Sequence, residues 1–371
     1  QGSYTGDNSY TPDFGESMAS PPTVLDQRAP VGLLTRNIVI QSPYDALWQN
    51  EDFGVHIMVM HSGVEAYVEG VEIKRGGQAG RIRRYPWHWH ILSYENNEAI
   101  GDATGQYFNN NTIHESRNRG IVIHGTNGAT VQNNVVFDVR GHAIFFEDAV
   151  ERRNLCEGNL VLKVREPEEE DMLLLHEKGR GPSGIWHSNP DNTITNNHIA
   201  DVDGSGIWMA FPNEIFGPLS GVLDEFGNPM MPRRMEFGVF DGNVAHSTDR
   251  EGIFNDNAQS DEAGNTRTSG NYTSDATGQD GGHPSSTWRR FYMYDNAVWK
   301  CGRTGMWERA NWVSNVRPIA SDNGGRCFAG AGFDGLIAGA LAIGTSLNYN
   351  MNNETRNHVP AAFATYHHTF Q

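Results

Sequence analysis

A short strand signature, in which glycine precedes an apolar residue and usually an aromatic one, returns along this chain. It occupies residues 120–124, 184–187, 206–209, 252–255 and 305–308. Gly184 and Gly206 are 22 residues apart, and 22 residues after Gly120 the same frame reaches His142. Self-similarity at a short period is typical of a solenoid, whose units bury their apolar faces by stacking on one another. The repeat therefore predicts an all-β fold, a parallel β-helix.

A second phrase, rich in asparagine and β-branched residues, lies between the signatures. It occurs at residues 110–114, 133–137, 196–200 and, with glycine first, 242–246. Asparagine tolerates the left-handed backbone region and can bond its own backbone, so it suits a tight corner. Each coil is therefore predicted to run from a strand through an Asn or Gly corner into the next strand.

Composition agrees with one elongated domain. Glycine makes up 42 of the 371 residues and the hydrophobic fraction is 37%, which suits many short strands joined by turns. Because a solenoid grows along one axis, residues 28–371 are predicted to form a single β-helix domain. Residues 1–27 are predicted to be an N-terminal extension or the remnant of a preceding domain.

Three insertions are predicted to interrupt the coils, near residues 165–182, 212–234 and 258–286. The second and third leave the chain just after a Gly-Ile-aromatic strand, so they are expected to project from one corner of the stack. Insertions on one face of a repeat protein commonly wall a binding site. The alternative is that they are tolerated surface loops.

Charge and cysteine content exclude several classes of protein. A net charge of −17 argues against nucleic acid, whose binding depends on Lys and Arg neutralising phosphates. The three cysteines Cys156, Cys301 and Cys327 are too few for a disulfide scaffold. The longest apolar run, residues 336–343, is too short to span a membrane. We expect a trimmed piece of an exported protein, secreted or at the cell surface, and the sequence leaves its oligomeric state open.

A histidine pair is the first candidate for chemistry. His88 and His90 are two residues apart, so on a strand both side chains point to the same side. The repeat places His90 in the column of His124, and neutral imidazole is the commonest metal-binding side chain. We therefore predict a divalent metal, zinc, copper or calcium, held by His88, His90 and His124. The alternative is a hydrogen-bonded ladder of imidazoles without metal.

Carboxylates follow the histidines. His142, Glu147 and Asp148 lie within about one and a half coils of His124. A carboxylate beside a histidine can orient its tautomer or shift its pKa, as general acid or base catalysis requires. The predicted catalytic residues are His90, His124, His142, Glu147 and Asp148. The alternative is that both carboxylates are solvated or paired with Arg152 and Arg153.

Aromatic and basic residues indicate an elongated, acidic ligand. One strand register turns Ile121, Ile123, Ile185 and Ile207 inward. The same register places Trp186, Trp208, Phe254 and Trp307 in one outward column. Sugar rings stack on exposed indole faces, although such aromatic columns also fill β-helix interiors or lie beneath insertions. A basic stretch that ends at Arg84 precedes the histidine pair and matches the carboxylates of a uronic-acid polymer, with a solvated turn as the alternative.

Six phrases in the same order carry a family resemblance. They are RAPVGLLTRNI (28–38), RYPWHWH (84–90), IHESRNR (113–119), VIHGTNG (122–128), GHAIFFED (141–148) and NPDN (189–192). Over about residues 28–250 the chain resembles the β-helix region of the cell-migration-inducing hyaluronan-binding protein, the transmembrane hyaluronidase and fibrocystin-like proteins, with bacterial relatives.

The resemblance implies a right-handed parallel β-helix in an extracellular or exported protein, associated with hyaluronan binding and depolymerisation. The matched candidates for site residues are His88, His90, His114, His124, His142, Glu147 and Asp148. A small all-β domain usually precedes this helix in the family. Here only a remnant before Arg28 is expected.

These observations together predict an enzyme that depolymerises a uronic-acid-containing, hyaluronan-like polysaccharide, a hydrolase or lyase with metal assistance. The predicted substrate-binding residues are Arg84, His114, Trp186, Trp208 and Trp307. The first alternative is a non-catalytic glycan-binding or adhesive β-helix. The second is a redox enzyme with a His-ligated metal, because three histidines also suit copper.

Overall fold

The computed structural model describes residues 21–174, 176–256, 270–279, 286–346 and 361–366. Almost all regular structure in these ranges is parallel β-strand, and successive strands pass through three long sheets before the chain returns to the first. Each coil thus adds one strand to each sheet, which is the architecture of a parallel β-helix. The predicted all-β fold is confirmed.

The three sheets have the following strands. Sheet 1 has ten: Ile38–Gln41, Val71–Lys74, Thr112–Ser116, Val135–Arg140, Leu160–Arg165, His198–Val202, Val244–Thr248, Ala297–Trp299, Ile319–Ser321 and Leu341–Ile343. Along its main path sheet 2 contains Met58–Met60, Trp87–His90, Ile121–His124, Ile144–Phe146, Ser183–His187, Ser205–Met209, Ile253–Asn255, Thr304–Asn311, Arg326–Ala331 and Ala361–Tyr366. Sheet 3 has nine: Tyr67–Glu69, Tyr107–Asn109, Thr130–Gln132, Leu155–Glu157, Thr193–Thr195, Val239–Asp241, Phe291–Tyr294, Val313–Val316 and Leu336–Ala338.

Few elements depart from this plan. The short strand Tyr272–Thr273 pairs with Thr304–Asn311, and Tyr94–Glu95 forms a small antiparallel pair with Glu98–Ala99. The helical segments are Ala46–Asn50, Glu177–Arg180 and the 3-10 turns Glu169–Asp171, Gly217–Leu219 and Pro232–Arg234. None of the helices in the described ranges is long and apolar enough to cross a membrane.

Side chains of sheet 2 alternate between the inside and the outside of the cylinder, as regular strands require. Ile121, Ile123, Ile185 and Ile207 are fully buried in the main core, as predicted. The predicted register is also confirmed, because His90 pairs with His124. One outward column runs through His88, Val122, Phe145, Trp186, Trp208, Phe254 and Trp307.

The asparagine phrases form the predicted corners. Asn110 and Asn133 have φ values of 55° and 56°, in the left-handed region that asparagine tolerates. The asparagine one residue later enters a buried ladder, in which Asn159 Oδ1 accepts the backbone N–H of Asn134 at 3.0 Å. The ladder continues from coil to coil through Asn111, Asn134, Asn159, Asn197, Asn243 and Asn296. It pairs backbone groups that a buried corner would otherwise leave unsatisfied.

The described N-terminal segment, residues 21–36, lies against sheet 1 without forming a strand. Gln27 donates to Ser321 Oγ at 3.1 Å, near the C-terminal coils. Gly32 lies so close to Leu160 that an added Cβ would come within 2.8 Å of it. Residues 1–20 lie outside the described ranges, and the boundary after residue 27 stays a prediction.

The insertions lie next to sheet 2. The first, near residues 165–182, holds two short helical turns, Glu169–Asp171 and Glu177–Arg180. The second follows the strand Ser205–Met209, and the third follows Ile253–Asn255. The described part of the third contacts the end of the second, since the backbone N–H of Asp275 donates to the carbonyl of Arg234 at 2.9 Å. Residues 257–269 and 280–285 of the third lie outside the described ranges.

Candidate functional site

The candidate site is on the outer face of sheet 2, near its N-terminal end. His88 and His90 come from the strand Trp87–His90, and His124 ends the next strand, Ile121–His124. Glu147 directly follows the third strand, Ile144–Phe146. Since side chains two residues apart share one face of a strand, three neighbouring coils bring these groups together.

Three of these side chains could hold a metal ion. Glu147 Oε2 lies 3.9 Å from His88 Nε2 and 3.8 Å from His124 Nδ1. The three ligand atoms all lie within 4.8 Å of one another, and none has a hydrogen-bond partner among the described residues. The His88 side chain is 0% exposed and that of His124 is 2% exposed. Two imidazoles and one carboxylate are a ligand set that suits zinc.

Asp148 orients one of the ligands. Its Oδ2 lies 2.7 Å from His124 Nε2, which directs the Nδ1 atom of the same ring towards Glu147 and His88. Glu151 Oε1 in turn accepts the backbone N–H groups of Asp148 at 3.1 Å and Gly125 at 2.8 Å. Supporting contacts of this kind fix the tautomer and the position of a metal-ligating histidine.

Burial and neighbouring charges act differently on the titratable groups. Burial lowers the pKa of His88 well below its usual range and lowers that of His90 to about 4. Burial also lowers the pKa of His124, but the hydrogen bond to Asp148 and the charge of Glu147 raise it to about 9 overall. Burial raises the pKa of Glu147. His88 is therefore neutral near pH 7, the form that binds metal.

The predicted metal trio is only partly brought together. His88 and His124 belong to the cluster of ligand atoms, and Glu147 is its third member. His90 is adjacent, with its ring centroid 4.9 Å from that of His124 and 5.1 Å from that of His88. The sequence did not predict Glu147 as a candidate ligand because it lies just beyond a strand, where the two-residue alternation no longer fixes the direction of its side chain.

Comparison with known proteins places this site within a protein family. The model of the CEMIP beta-helix matches residues 52–253, which is more than half of the chain. The chain belongs to the CEMIP β-helix family. His88, His90, His124 and Glu147 all lie inside the matched residues.

Individual relatives agree with this assignment. The chain is 31% identical over 260 residues to human "Cell surface hyaluronidase CEMIP2", a match that covers 62% of this chain and 18% of the relative. It is 30% identical over 261 residues to human Fibrocystin-L, covering 61% of this chain and 6% of the relative. It is 30% identical over 263 residues to the mouse cell migration-inducing and hyaluronan-binding protein, covering 63% and 19%. The chain thus spans about a fifth or less of these curated relatives.

One solved structure aligns with this chain at low similarity. The catalytic unit of the GH87 α-1,3-glucanase from Streptomyces thermodiastaticus strain HF3-3 aligns with a TM-score of 0.32 and 12% identity. The alignment covers 85% of this chain and 62% of the glucanase chain. At that TM-score the likeness supports no conclusion about the site.

His142 is not part of the cluster, although it lies in the same family region. It is fully buried, with Nδ1 2.8 Å from Ser183 Oγ and Nε2 3.0 Å from His176 Nε2. Glu147 instead contacts His88 and His124. The predicted proton-transfer pair of His142 and Glu147 is therefore wrong, because the ring of His142 packs beneath the first insertion.

The predicted alternative partners of the acidic pair are wrong as well. Arg152 Nε donates to Asp191 at 2.8 Å, and Arg153 pairs with Asp102 at 2.7 Å. Asp148 uses its carboxylate on His124 instead. The acidic pair is thus largely buried rather than solvated, with side-chain exposures of 8% and 9%.

Trp186 and Trp208 occupy the predicted column but are not exposed. Trp186 is 2% exposed and Trp208 is fully buried. The ring of His176, from the first insertion, stacks on Trp186 with centroids 4.0 Å apart. The prediction that these two indoles stack on sugars is therefore wrong, since strand alternation gives the direction of a side chain but not what covers it. Trp307, beyond the insertion, is only partly buried, and its Nε1 donates to Asp256 at 2.8 Å.

The two remaining predicted substrate contacts lie elsewhere. His114 is buried on sheet 1, with Nε2 2.9 Å from Glu72 Oε1, away from the candidate site on sheet 2, and its role in substrate binding stays a prediction. Its strand belongs to a different face of the cylinder. Arg84 lies in the turn before Trp87–His90, with Nη1 2.5 Å from His56 Nε2. Its role in substrate binding stays a prediction.

Proposed function

We propose that this chain is the carbohydrate-active β-helix of a secreted or cell-surface protein, and that it cleaves an acidic polysaccharide related to hyaluronan. Support comes from relatives whose names include a cell surface hyaluronidase and a hyaluronan-binding protein. Because the chain spans only a part of those relatives, the activity is proposed from its own residues. The proposed centre is a metal ion held by His88, His124 and Glu147.

One observation carries the proposal. Three candidate ligand atoms, His88 Nε2, His124 Nδ1 and Glu147 Oε2, converge in a nearly closed site, and none of them has a hydrogen-bond partner in the described part of the chain. Buried polar groups without partners are costly, and native proteins keep few of them. A divalent cation would satisfy all three at once, and zinc fits their mixed nitrogen and oxygen chemistry.

Each residue has a distinct role. The bound ion would supply a Lewis acid that polarises an oxygen of the sugar chain. Asp148 holds the His124 ring, and Glu147 brings a negative charge to the cluster. His90 lies beside the three proposed ligands, its side chain is partly exposed, and its Nε2 atom has no hydrogen-bond partner among the residues that the structure describes. We assign the transfer of a proton to or from the substrate to His90.

Metal content tests the centre. The purified protein should contain one ion per chain by elemental mass spectrometry after dialysis. His124→Ala should lose it. The matched control is His246→Ala, because His246 also lies beside a second histidine, His198, but on sheet 1. The proposal of a metal centre is wrong if the purified protein contains no stoichiometric metal and also binds none after incubation with zinc, copper or calcium in turn.

Product analysis tests the reaction. The protein should shorten hyaluronan, and Glu147→Gln should abolish this loss of chain length. An unsaturated product with ultraviolet absorbance would indicate elimination, whereas new reducing ends without that absorbance would indicate hydrolysis. No shortening of hyaluronan, chondroitin or a neutral glucan by the metal-loaded protein would reject the cleavage activity.

A non-cleaving glycan-binding module is the second candidate. The low exposure of His88 and His124 favours it, because a polymer cannot touch these rings directly. This candidate predicts saturable binding of hyaluronan with no change in its length. It also predicts that His124→Ala leaves the affinity for the polymer unchanged.

A further inference from the structure

A second groove opens on the same face of sheet 2, towards the C-terminal coils. Its volume is about 390 Å³, and Arg180, Arg303, Arg326, Phe254 and Trp307 are among its lining residues. Six strand-to-strand steps separate the column position of His88 from that of Trp307. At about 4.8 Å per step the two positions are roughly 29 Å apart along the sheet.

Positive charge is concentrated in this groove although the whole chain carries −17. Three separate segments supply the arginines of the groove. Arg180 ends the helical segment Glu177–Arg180, Arg303 directly precedes the strand Thr304–Asn311, and Arg326 begins the next strand of sheet 2. Burial and the nearby guanidinium groups of Arg303 and Arg180 lower the pKa of Arg250 beside the groove. A bound anion would reduce this repulsion between the guanidinium groups.

The acidic residues of the groove are already engaged. Asp256 Oδ2 accepts the indole N–H of Trp307 at 2.8 Å, and Asp256 Oδ1 accepts from Arg309 at 3.1 Å. Glu251 Oε2 accepts from Ser205 Oγ at 3.2 Å and lies 3.4 Å from Arg180 Nη1. The three lining guanidinium groups therefore outnumber the two lining carboxylates.

Aromatic rings complete the groove. The guanidinium of Arg180 lies 4.2 Å above the ring of Phe254, an arrangement that holds the side chain in place. Trp307 is only partly buried, in contrast to Trp186 and Trp208 of the same column. Guanidinium groups and a partly buried indole that line one groove suit a sugar with an anionic group, since the sugar ring can stack on the indole and the anion can pair with arginine.

We propose that this groove is a distal binding subsite for an acidic glycan, with Arg303 and Arg180 binding a carboxylate or sulfate and Trp307 stacking on the sugar ring. The inference rests on the proposed function only in taking a polysaccharide as the ligand. The first insertion covers Trp186 between the two sites, so one sugar chain that binds at both sites would pass beside that insertion. The subsite thereby sets a minimum length for tight binding.

The test uses the full chain and purified oligosaccharides. Arg303→Gln should weaken the binding of long hyaluronan oligosaccharides by about tenfold, the typical effect of losing one charge-assisted hydrogen bond. Added salt should weaken the wild-type affinity by more than it weakens that of the variant. The matched control is Arg317→Gln, because Arg317 pairs with Asp295 at a corner and does not line the groove. Thermal unfolding should confirm that both variants are folded.

Several outcomes separate this inference from the metal centre. His124→Ala should lose the metal and keep the groove-dependent affinity. Sulfated chondroitin binding more tightly than hyaluronan would assign the subsite to sulfate, and the reverse order would assign it to carboxylate. Equal binding of a neutral glucan, or wild-type affinity in Arg303→Gln, would overturn the subsite while leaving the metal centre untouched.

Discussion

Asp148 Oδ2 lies 2.7 Å from His124 Nε2, and this contact determines which nitrogen of the ring faces Glu147. Because its pKa is raised to about 9, the His124 ring carries a proton on both nitrogens near pH 7, so a bound metal ion would displace the proton of Nδ1, which lies 3.8 Å from Glu147 Oε2. Glu151 supports the pair from behind by accepting the backbone N–H of Asp148. These strands thus supply both a proposed metal ligand and the group that orients it, an arrangement that is common around protein-bound metals.

Asp148→Asn should lower zinc affinity by about 10- to 100-fold, the usual cost of removing a supporting carboxylate. The new amide can donate to Nε2, which moves the ring proton to Nδ1 and blocks the proposed ligand atom. Competition with a chromophoric chelator measures the affinity. Asp138→Asn is the control, because Asp138 pairs with Lys163 on sheet 1, away from the site. An unchanged zinc affinity in Asp148→Asn would remove Asp148 from the metal site.

Periodicity alone was enough to predict the fold and the register. The spacing of the Gly-Ile signatures predicted that His90 pairs with His124 and that Trp186 pairs with Trp208, and both pairs are present. Side chains two residues apart share one face of a strand, and residues one coil apart pair between neighbouring strands, so the repeat fixes these positions.

Periodicity could not predict which side chains an insertion covers, or where the side chains between strands point. Trp186 points outward as expected, yet His176 of an insertion without periodicity covers it. His142 lies in the bend before a strand, where the repeat does not fix side-chain direction. Its pairing with Ser183 and His176 depends on how the insertion folds back. The arginines of the distal groove are far apart in sequence and carry no local pattern.

Glu177→Gln should destabilise the fold by about 3 kcal/mol, because it leaves the buried guanidinium of Arg119 without its counter-charge. Arg119 Nη2 donates to Glu177 Oε1 at 2.8 Å, and both side chains are almost completely buried. Glu177 Oε2 also accepts the backbone N–H groups of Leu173 and Leu174, so the pair holds the first insertion on sheet 2.

Urea unfolding measures the loss of stability in Glu177→Gln, and limited proteolysis should cut its first insertion faster. Glu169→Gln is the matched control within the same insertion, because Glu169 pairs with Lys178 on the exposed surface. It should unfold like the wild type, since exposed pairs contribute little. Equal stability of Glu177→Gln and Glu169→Gln would contradict the proposed role of the Arg119–Glu177 pair in holding the first insertion on sheet 2.

Asn159→Ala should destabilise the fold by about 2–3 kcal/mol, because the buried ladder loses several hydrogen bonds at once. Asn159 Oδ1 accepts the backbone N–H of Asn134, and its Nδ2 donates to the Val131 carbonyl at 3.0 Å. Alanine leaves both backbone groups buried and unpaired. Chemical denaturation checks the value against Asn228→Ala in the exposed part of the second insertion, which should change little. A small effect in both variants would mean that water replaces the ladder.

Glu308 should make the fold less stable as the pH rises. Its side chain points into the cylinder beside Asn255, and neither carboxylate oxygen has a hydrogen bond of good geometry among the described residues. Burial raises its pKa to about 8, against an opposing contribution from Asn255. The unfolded chain ionises this group near its ordinary value, so between about pH 4.5 and 8 the folded state binds more protons than the unfolded state. Stability is therefore lost as the pH rises through this window, by roughly 4 kcal/mol in total.

Glu308→Gln removes the titrating group while keeping its size, so the variant should match the wild type near pH 5 and exceed its stability at pH 8. Urea unfolding at pH 5, 6.5 and 8 measures the difference, which should grow steadily with pH because each step ionises more of the unfolded glutamate. Glu98→Gln, at an exposed strand, should leave the pH dependence as it is in the wild type. A difference between Glu308→Gln and wild type that stays constant from pH 5 to pH 8 would mean that Glu308 is already ionised inside the folded cylinder and must have a cationic partner there.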